Sequence, residues 1–459
     1  MVFRGWRVRV LAGIGPMAAI ALALAAAACA PAEPTPPPAP DSAKALALMA
    51  APPPDSALGK LIETGPVVAG EHLNFERLRD FYARHGFAPV WTADRQKQAE
   101  ALTDTVMRSR DHGLDPALFH GDILRAADNL PALDRELVLS DAFLAYADAL
   151  ARGAVPVEHR PDDEALTPGP TDISAALDKA IDSPDPAAAI EALAPDTPTY
   201  RALRAALADL RDGKPVRDLA TREREIEVNL ERERWLPRHL PGTRVWVNTA
   251  DQRLTFYRDG EPVLAMKVVV GQTPRNLQSP EFQVPIDAIW FNPPWTIPDD
   301  IAKNEILPKA AADPDYLAKH NLVVLPDGLL QQRAGPNGAL GALMFDMNNR
   351  FEVYLHATPL KELFLREDRH VSHGCIRVEK PRELAALVMQ QSVADIDRAI
   401  APGDTVRTPV PKPVPVFVVY ETAFADADGK LQFRPDAYGR DAGIWQALAP
   451  KGRMVVAQR

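Results

Sequence analysis

The sequence contains only two cysteines in 459 residues, too few for a disulfide framework or for a zinc site built from four cysteines. It also has no excess of positive charge, because 62 acidic residues outnumber 52 lysines and arginines. A nucleic-acid partner is therefore not expected, since such proteins present a basic surface to the phosphate backbone. Disorder is excluded for most of the chain, because 46% of the residues are hydrophobic. The length allows about three domains.

Proline, in contrast, is abundant. The chain has 45 prolines, and nine of them fall within residues 30–54. A segment of this composition cannot build a core and adopts an extended, polyproline-like conformation. We therefore predict a proline-rich tether at residues 29–57, which would give reach to a domain that is held at a surface.

The N-terminus has the order of features of an export signal. Three arginines within the first nine residues precede an uncharged, alanine-rich stretch over residues 10–28, which predicts a signal peptide at residues 1–28. Cys29 follows these small residues and resembles the lipidated cysteine of a bacterial lipobox. Lipidation of Cys29, plain cleavage of the signal and retention of the segment as an uncleaved anchor are the three alternatives.

Apolar residues recur at spacings of three and four between residues 58 and 214, which predicts a helical scaffold domain. The clearest run covers residues 133–151. His112 and His120 flank a turn in this region, and we interpret both as structural. A charged segment follows at residues 215–242, and its alternating Arg and Glu residues predict a solvated helix that connects two domains.

Beyond residue 243 the pattern changes to the short alternating runs that are typical of β-strands. One clear helix interrupts them, after Pro381. We predict a mainly-β domain at residues 243–411 and a C-terminal β extension at residues 412–459. The expected fold class is α+β multidomain, with a helical N-terminal scaffold domain followed by a mainly-β domain that has a few helices.

The residues that are best suited to catalyse a reaction lie in one part of this domain. A cysteine nucleophile needs a base that takes its proton and donors that bind the oxyanion. His356 ends a predicted strand 19 residues before Cys375 and is the candidate base. A single cysteine with nearby histidines in an exported enzyme itself indicates a nucleophile. The two motifs read His356-Ala357-Thr358-Pro359 and Ser372-His373-Gly374-Cys375.

This arrangement resembles the L,D-transpeptidase (YkuD-type) family, which carries a histidine, a spacer of this length and then Ser/Thr-His-Gly-Cys. Further phrases resemble the large-scaffold branch of periplasmic murein L,D-transpeptidases and extend from residue 58 to about residue 439. Among these phrases are Asn229-Leu230-Glu231-Arg232, Val268-Val269-Val270-Gly271, Asn292-Pro293-Pro294-Trp295 and Tyr354-Leu355-His356.

The resemblance implies a role for each motif residue. Cys375 is the expected nucleophile and His356 the expected general base, whose imidazole ring is oriented by the backbone carbonyl of Ala357. His373 and Gly374 are expected to build the oxyanion pocket together with the Cys375 amide. No cofactor and no metal ion are implied.

The resemblance also implies peptidoglycan stem peptides as substrates, and these are anionic. A guanidinium group binds a carboxylate through two parallel hydrogen bonds, which suits arginines near Cys375 to this task. The alternative for such an arginine is a structural role, in which it pairs with a neighbouring acid or braces the loop. The candidate substrate-binding residues are Arg377, Arg369, Ser372, Trp295 and Tyr354.

In the implied reaction, Cys375 attacks the bond between meso-diaminopimelate and D-alanine in a tetrapeptide stem, and D-alanine leaves. An amine of a second stem then takes the acyl group, which gives a 3→3 crosslink. The expected location is the periplasm, with a lipid on Cys29 inserted in a membrane. The outer membrane is favoured because Ala30, and not an aspartate, follows Cys29.

Four alternatives remain open. The same acyl-enzyme could pass its acyl group to water, as in an L,D-carboxypeptidase or a crosslink endopeptidase. The protein could be a non-enzymatic wall-binding lipoprotein. His356, His370, His373 and Cys375 could bind zinc, although their spacing matches no familiar ligand pair. Cys375 could be buried and inert, as many free cysteines are.

Overall fold

The structure is a computed structural model that describes residues 56–160, 166–213 and 218–449. All three ranges belong to one structural unit. The predicted signal peptide, most of the tether and Cys29 lie outside the described residues. Within the described ranges, no helix is both long and apolar enough to cross a bilayer.

The N-terminal part is helical, as predicted. One helix begins where the side-chain oxygen of Asn74 accepts a hydrogen bond from the Arg77 amide, which satisfies a donor that the helix leaves free. A two-stranded ribbon, β1 (Val67–Val68) and β2 (Glu71–His72), precedes it. The helices are α1 (Ala57–Glu63), α2 (Phe75–Arg84), α3 (Gln96–Met107), α4 (Gly121–Leu124), α5 (Ala132–Arg152), α6 (Ile173–Ile181), α7 (Pro186–Glu191), α8 (Pro198–Arg211) and α9 (Leu219–Arg234).

Helix α5 is the centre of this part and confirms the apolar run predicted at residues 133–151. Leu137, Leu144 and Leu150 are fully buried, and the other helices pack around them. A buried Glu136 on the same helix accepts a hydrogen bond from Tyr82 at 2.8 Å. The scaffold therefore has its own apolar core, and the buried Glu136 carboxylate inside it is hydrogen-bonded.

Helix α9 differs from the predicted solvated connector, because its C-terminal half is buried. Glu231 and Arg234 form an ion pair at 2.8 Å with both side chains fully buried. Glu231 also accepts a hydrogen bond from the Val155 amide of the scaffold at 2.8 Å. Arg232 pairs with Asp441 near the C-terminus at 2.7 Å. The buried charges in the C-terminal half of α9 are thus bound by protein groups on two sides.

The C-terminal part is mainly β, as predicted. Its strands are β3 (Arg244–Asn248), β4 (Arg253–Arg258), β5 (Glu261–Gly271), β6 (Phe282–Phe291), β7 (Trp295–Thr296), β8 (Leu322–Val324), β9 (Leu330–Gln332), β10 (Leu343–Asp346), β11 (Leu355–His356), β12 (His370–Ser372), β13 (Ile376–Val378), β14 (Val406–Val419), β15 (Ala423–Ala425) and β16 (Leu431–Phe433). Its helices are α10 (Asp299–Ile301), α11 (Leu307–Ala312), α12 (Tyr316–Lys319), α13 (Pro381–Met389), α14 (Val393–Ile400) and α15 (Asp441–Leu448).

Nine of these strands form one sheet in the order β12-β5-β13-β11-β10-β6-β14-β3-β4. Strand β4 also pairs with the first half of β5, so the pairings close into a ring. Side chains that point into the ring build a single apolar core, to which Phe256, Val268 and Phe345 contribute. Helix α13 covers this core with Leu384 and Val388.

Residues 295–332, which we call the capping segment, stand apart from the ring. Strands β7, β9 and β8 form a separate three-stranded sheet in that order. Together with α10, α11 and α12 they enclose a small apolar cluster that contains Ile297, Leu322 and Leu330. Between α10 and α11 the chain winds as a π-helix over Ala302–Ile306.

The C-terminal residues differ from the predicted β extension at residues 412–459. The predicted boundary falls inside β14, which pairs with both β6 and β3 and so belongs to the ring. A bulge between Pro409 and Val414 accommodates its prolines, which cannot donate to a regular ladder. Strands β15 and β16 form a hairpin. Helix α15 follows, which the sequence reasoning did not predict.

Candidate active site

Two short parallel strands bring the motif residues onto one face of the sheet. In β11 and β13, His356 lies opposite Arg377. The ladder continues where the Ile376 amide donates to the Tyr354 carbonyl, so that Cys375 follows beside Tyr354. Because side chains alternate along a strand, Cys375 and Arg377 share a face with Tyr354 and His356. The residues between them point into the apolar core.

His356 is buried, and its imidazole ring contacts the backbone of the next residue. Its Nδ1 lies 2.6 Å from the carbonyl oxygen of Ala357, so the hydrogen on Nδ1 is donated there and Nε2 is left to receive a proton. Burial lowers the pKa of His356 to about 4, with a further contribution from the Arg377 charge, while the Ala357 and Leu340 carbonyls oppose this shift. The imidazole is therefore neutral at pH 7.

Cys375 is the free cysteine within the described residues. The residue is partly exposed, and its Sγ lies 3.9 Å from the carbonyl oxygen of Glu352. Burial raises the pKa of the thiol above its ordinary value, although the Tyr354 backbone and the Arg377 charge counteract this. Cys375 and His356 are thus both neutral at rest, and the base must take the proton as the sulfur attacks.

The turn before Cys375 is held by Ser372. The Ser372 hydroxyl donates to the Cys375 carbonyl at 2.7 Å and accepts from the Gly374 amide at 3.2 Å. Gly374 has a φ of +112°, a conformation that side chains rarely tolerate. Ser372 is only 2% exposed and organises the turn, while its contact with substrate stays a prediction.

The backbone amides of Gly374 and Cys375, which the sequence suggests as oxyanion donors, differ in their hydrogen bonding. The Gly374 amide already donates to Ser372 and is not available. The Cys375 amide has no hydrogen-bond acceptor in the part of the chain that the structure describes. The geometry therefore supports the Cys375 amide as an oxyanion donor and gives Gly374 a conformational role.

A serine that the sequence reasoning missed supports this turn. The Ser279 hydroxyl donates to the Gly374 carbonyl at 2.7 Å and accepts from the Gly271 amide at 3.0 Å. The Tyr438 hydroxyl donates to the Gly271 carbonyl at 2.8 Å. Ser279 and Gly374 are 95 residues apart in the chain, so no local pattern connects them.

The two candidate arginines have different partners. Arg369 is 7% exposed, and its guanidinium donates to the backbone carbonyls of Val268 and Gln252, each at 3.0 Å. These contacts favour the alternative in which Arg369 braces the loop. Arg377 shares the face of Cys375, and its buried Nε has no hydrogen-bond partner among the described residues. Arg377 is therefore the arginine with capacity to bind a substrate carboxylate.

His373 contacts the capping segment. Its Nε2 lies 2.6 Å from Oε1 of Glu305, and the two side chains are 34% and 42% exposed. Glu305 belongs to the π-helix Ala302–Ile306. The sequence reasoning missed Glu305, because it precedes His373 by 68 residues and no spacing relates them.

The two aromatic candidates lie in different places. Tyr354 is half-buried on the face of Cys375, and its pKa is raised by burial and by neighbouring groups that include Cys375. Trp295 is half-buried in β7 and packs against the apolar cluster of the capping segment, which contains Ile297 and Leu330. Tyr354 thus lines the site, whereas Trp295 helps to hold the capping segment together.

The histidines considered as zinc ligands have separate partners. His370 Nδ1 lies 2.6 Å from Oδ1 of Asp368, while His373 contacts Glu305 and His356 contacts the backbone. Among the described residues, no group of three His, Cys, Asp or Glu side chains is placed to hold a metal ion.

A groove of about 1080 Å³ lies elsewhere on the ring, between the β4–β5 turn and α13. Asp259, Leu264, Val388 and Pro415 are among its lining residues. None of the predicted site residues lines it, so the groove is separate from the face that carries Cys375.

Two protein families match the chain. Residues 76–207 match the scaffold domain, and residues 242–415 match the YkuD family, which is the L,D-transpeptidase catalytic domain. The second range contains all the residues for which the sequence predicts catalysis or substrate binding. Helix α9, with its buried C-terminal half, lies between the two matches.

A Haemophilus influenzae protein, whose name assigns it provisionally to the L,D-transpeptidases, is 32% identical over 243 residues, which cover 48% of each chain. The chain thus spans about half the length of this curated relative. The L,D-transpeptidase from Mycobacterium smegmatis is 17% identical, with 39% of this chain and 58% of that chain covered and a TM-score of 0.21. The catalytic domain of the Enterococcus faecium L,D-transpeptidase acylated by ertapenem is 15% identical, with coverages of 39% and 99% and a TM-score of 0.22.

Proposed function

Since the chain combines a scaffold domain with an L,D-transpeptidase catalytic domain of the YkuD family, we propose that it is a cysteine-dependent acyltransferase that crosslinks peptidoglycan. Its substrates are stem peptides, and its product is a 3→3 crosslink. The observation that carries the proposal is the shared face of β11 and β13, on which Cys375 lies with His356 and Arg377.

The first half-reaction cleaves the bond between meso-diaminopimelate and the terminal D-alanine. Nε2 of His356 takes the thiol proton as the sulfur of Cys375 attacks the carbonyl carbon, and the Cys375 amide binds the oxyanion. The C–N bond then breaks, and the proton on His356 passes to the nitrogen of the leaving D-alanine. A thioester between Cys375 and the remaining stem is left.

The second half-reaction transfers the acyl group from the thioester to an amine of another stem. A new C–N bond forms, the C–S bond breaks, and the sulfur takes up the proton that the attacking amine loses. With water as the acceptor, the same thioester would yield a tripeptide, which is the L,D-carboxypeptidase alternative. The two alternatives share the acyl-enzyme and differ in the acceptor, so their products distinguish them.

Arg377 binds a carboxylate of the anionic stem in this proposal, because it has an unpartnered buried Nε on the face of the nucleophile. Tyr354 lines the same face and contributes a half-buried aromatic surface. Neither residue takes part in bond breaking. Their effect is to place the scissile carbonyl beside the sulfur.

We place the enzyme in the periplasm, where its substrate lies. Export depends on the predicted signal at residues 1–28, and a lipid on Cys29 holds the protein to a membrane, with the outer membrane favoured. The proline-rich tether at residues 29–57 then gives the enzyme reach to the wall.

The test is to incubate the purified protein with a disaccharide-tetrapeptide and to identify the products by mass spectrometry. We expect a dimer that is one D-alanine lighter than two substrates. A tripeptide without dimer would identify an L,D-carboxypeptidase, and the absence of released D-alanine would contradict the proposed function and favour a non-enzymatic protein.

The matched control is Cys375→Ala, which should abolish D-alanine release. A single partly exposed thiol contributes little to packing, so the free energy of unfolding should change by no more than about 1–2 kcal/mol. If the variant still formed dimers, the cysteine mechanism would be wrong.

A further inference from the structure

The capping segment presents a carboxylate to the histidine that precedes the candidate nucleophile by two residues. Glu305 Oε1 lies 2.6 Å from Nε2 of His373, and both side chains are partly open to solvent. The π-helix Ala302–Ile306 carries Glu305. Single π-helical turns are rare in proteins, and those that occur are often found at functional sites. Nothing in the mechanism above uses this contact.

The imidazole rings of His356 and of His373, which precedes Cys375 by two residues, are each held at a different nitrogen. The buried His356 is held at Nδ1 by the Ala357 carbonyl, which leaves Nε2 to exchange a proton. His373 is held at Nε2 by Glu305, which leaves Nδ1 to accept one. A base whose second nitrogen is bound by a carboxylate is the arrangement by which enzymes orient an imidazole for proton transfer.

The reaction requires a second proton transfer, a point that rests on the proposed function. The acceptor amine is an ammonium ion at neutral pH and must lose a proton before its nitrogen can attack the thioester. His356 is buried, whereas His373 and Glu305 lie where a molecule from solvent can reach them. The carboxylate also attracts an incoming cation.

We propose that His373 and Glu305 receive the acceptor amine. Nδ1 of His373 takes one proton from the ammonium group, and the Glu305 carboxylate balances the charge on the imidazolium. The neutral nitrogen forms the C–N bond and the C–S bond breaks, while the second N–H proton passes through His356 to the sulfur. His373 returns its proton to water. Glu305 acts through His373 and is a positioning residue.

The experiment separates the two half-reactions in the full-length protein. A disaccharide-tetrapeptide serves as donor, and a disaccharide-tripeptide, which has no D-alanine to release, serves as the varied acceptor. Glu305→Gln should lower the ratio of dimer to hydrolysed donor by about tenfold or more and raise the acceptor concentration for half-maximal transfer. Release of D-alanine in the first turnover should change by less than about twofold, because His356 drives it.

Glu305→Asp keeps the carboxylate and should restore a measurable part of the transfer. Asp300→Asn is the matched control, since it removes an exposed carboxylate from the same segment and should change neither rate. A parallel loss of first-turnover release and transfer in Glu305→Gln would show that the contact only holds the capping segment, and an unchanged product ratio would also overturn the inference. A wild-type protein that releases no D-alanine would refute the proposed function itself.

Discussion

At the scale of the residue, the important feature is that the proposed nucleophile and base are both uncharged before reaction. Burial opposes the thiolate of Cys375 and the imidazolium of His356 alike. The Arg377 charge favours the thiolate and disfavours the imidazolium. A preformed ion pair is therefore not the resting state, and the thiol stays unreactive until a substrate carbonyl is present.

We predict that alkylation of Cys375 by iodoacetamide accelerates steadily with pH and reaches no plateau near pH 7. A raised pKa means that the thiolate fraction stays low at neutral pH and grows as the pH rises towards that pKa. The measurement uses a Cys29→Ser background, so that one cysteine reacts, with a cysteine peptide as control. A plateau below pH 8 would indicate a preformed thiolate.

The two arginines give a second prediction at this scale. Arg377→Lys keeps the charge but loses the planar fork, so KM for the tetrapeptide should rise about tenfold with the unfolding free energy unchanged. Arg369→Lys loses donors to buried carbonyls and should lower the unfolding free energy by about 2–3 kcal/mol. Steady-state kinetics and urea denaturation distinguish these outcomes, and an equal rise of KM in both variants would contradict the assignment.

At the scale of the element, the turn before Cys375 depends on segments that are distant in the chain. Ser279 joins the Gly374 carbonyl to the end of β5. Near the C-terminus, Tyr438 stacks on Tyr420 with ring centroids 5.1 Å apart, and Arg440 donates to the Ser279 carbonyl at 3.0 Å. Tyr438 and Arg440 thus stabilise the segment around Ser279, which in turn supports the turn before Cys375.

We predict that Ser279→Ala lowers kcat about tenfold with little change in KM, because the turn loses its brace while the substrate contacts remain. The unfolding free energy should also fall by about 1–3 kcal/mol, since two buried hydrogen bonds are lost. Ser392→Ala is the matched control. It removes the N-cap of α14 and should cost about 1 kcal/mol of stability without any effect on kcat. Loss of kcat in both variants would show that the effect is not specific to the turn.

At the scale of the whole molecule, α9 joins the scaffold to the catalytic ring through buried charged groups. Glu231 is bound by the scaffold, and Arg232 is bound by Asp441 near the C-terminus. Glu233 and Glu421 are also buried, and they meet each other. If one of the two parts unfolded alone, it would leave charged groups of the other part without their partners, which is strongly destabilising. We therefore expect the scaffold and the ring to unfold together.

The Glu233 and Glu421 pair predicts how stability depends on pH. Burial raises the pKa of Glu421 well above its ordinary value, and the neighbouring Glu233 raises it further. The folded state keeps a proton that the unfolded chain releases, so stability falls as the pH rises from the ordinary glutamate range towards the folded pKa. Glu421→Gln should remove this loss and raise the unfolding free energy at pH 8 by about 1–2 kcal/mol.

Urea denaturation of the wild type and of Glu421→Gln between pH 5 and pH 8 measures this effect. The control is Glu261→Gln, an exposed position on β5 whose change should leave the pH dependence as it is. If Glu421→Gln were less stable by the same amount at every pH, the carboxylate would be needed in its ionised form and the prediction would be wrong.

The features that depend on neighbours along the chain could be predicted from the sequence. The apolar run at residues 133–151 predicted α5 (Ala132–Arg152) to within one residue at each end, because one face of this helix is buried over most of its length. The spacing of His356 and Cys375 identified the candidate base and nucleophile, since both lie at strand ends in one segment. The succession of scaffold and mainly-β domain followed from the change of period near residue 243.

The partner of each polar group, in contrast, depends on how distant segments pack together. The charged residues of α9 have the spacing of a solvated helix. In the C-terminal half of the helix, however, they are buried against the scaffold and against the segment that contains Asp441. The sequence does not distinguish Arg369 from Arg377 as candidates for substrate binding. The structure does, because the Arg369 guanidinium already donates to backbone carbonyls, whereas Nε of Arg377 has no hydrogen-bond partner among the described residues. Glu305 contacts His373, although 68 residues separate them in the chain. Periodicity reports which face of an element is apolar, whereas the partner of a polar group depends on which distant segment packs against it.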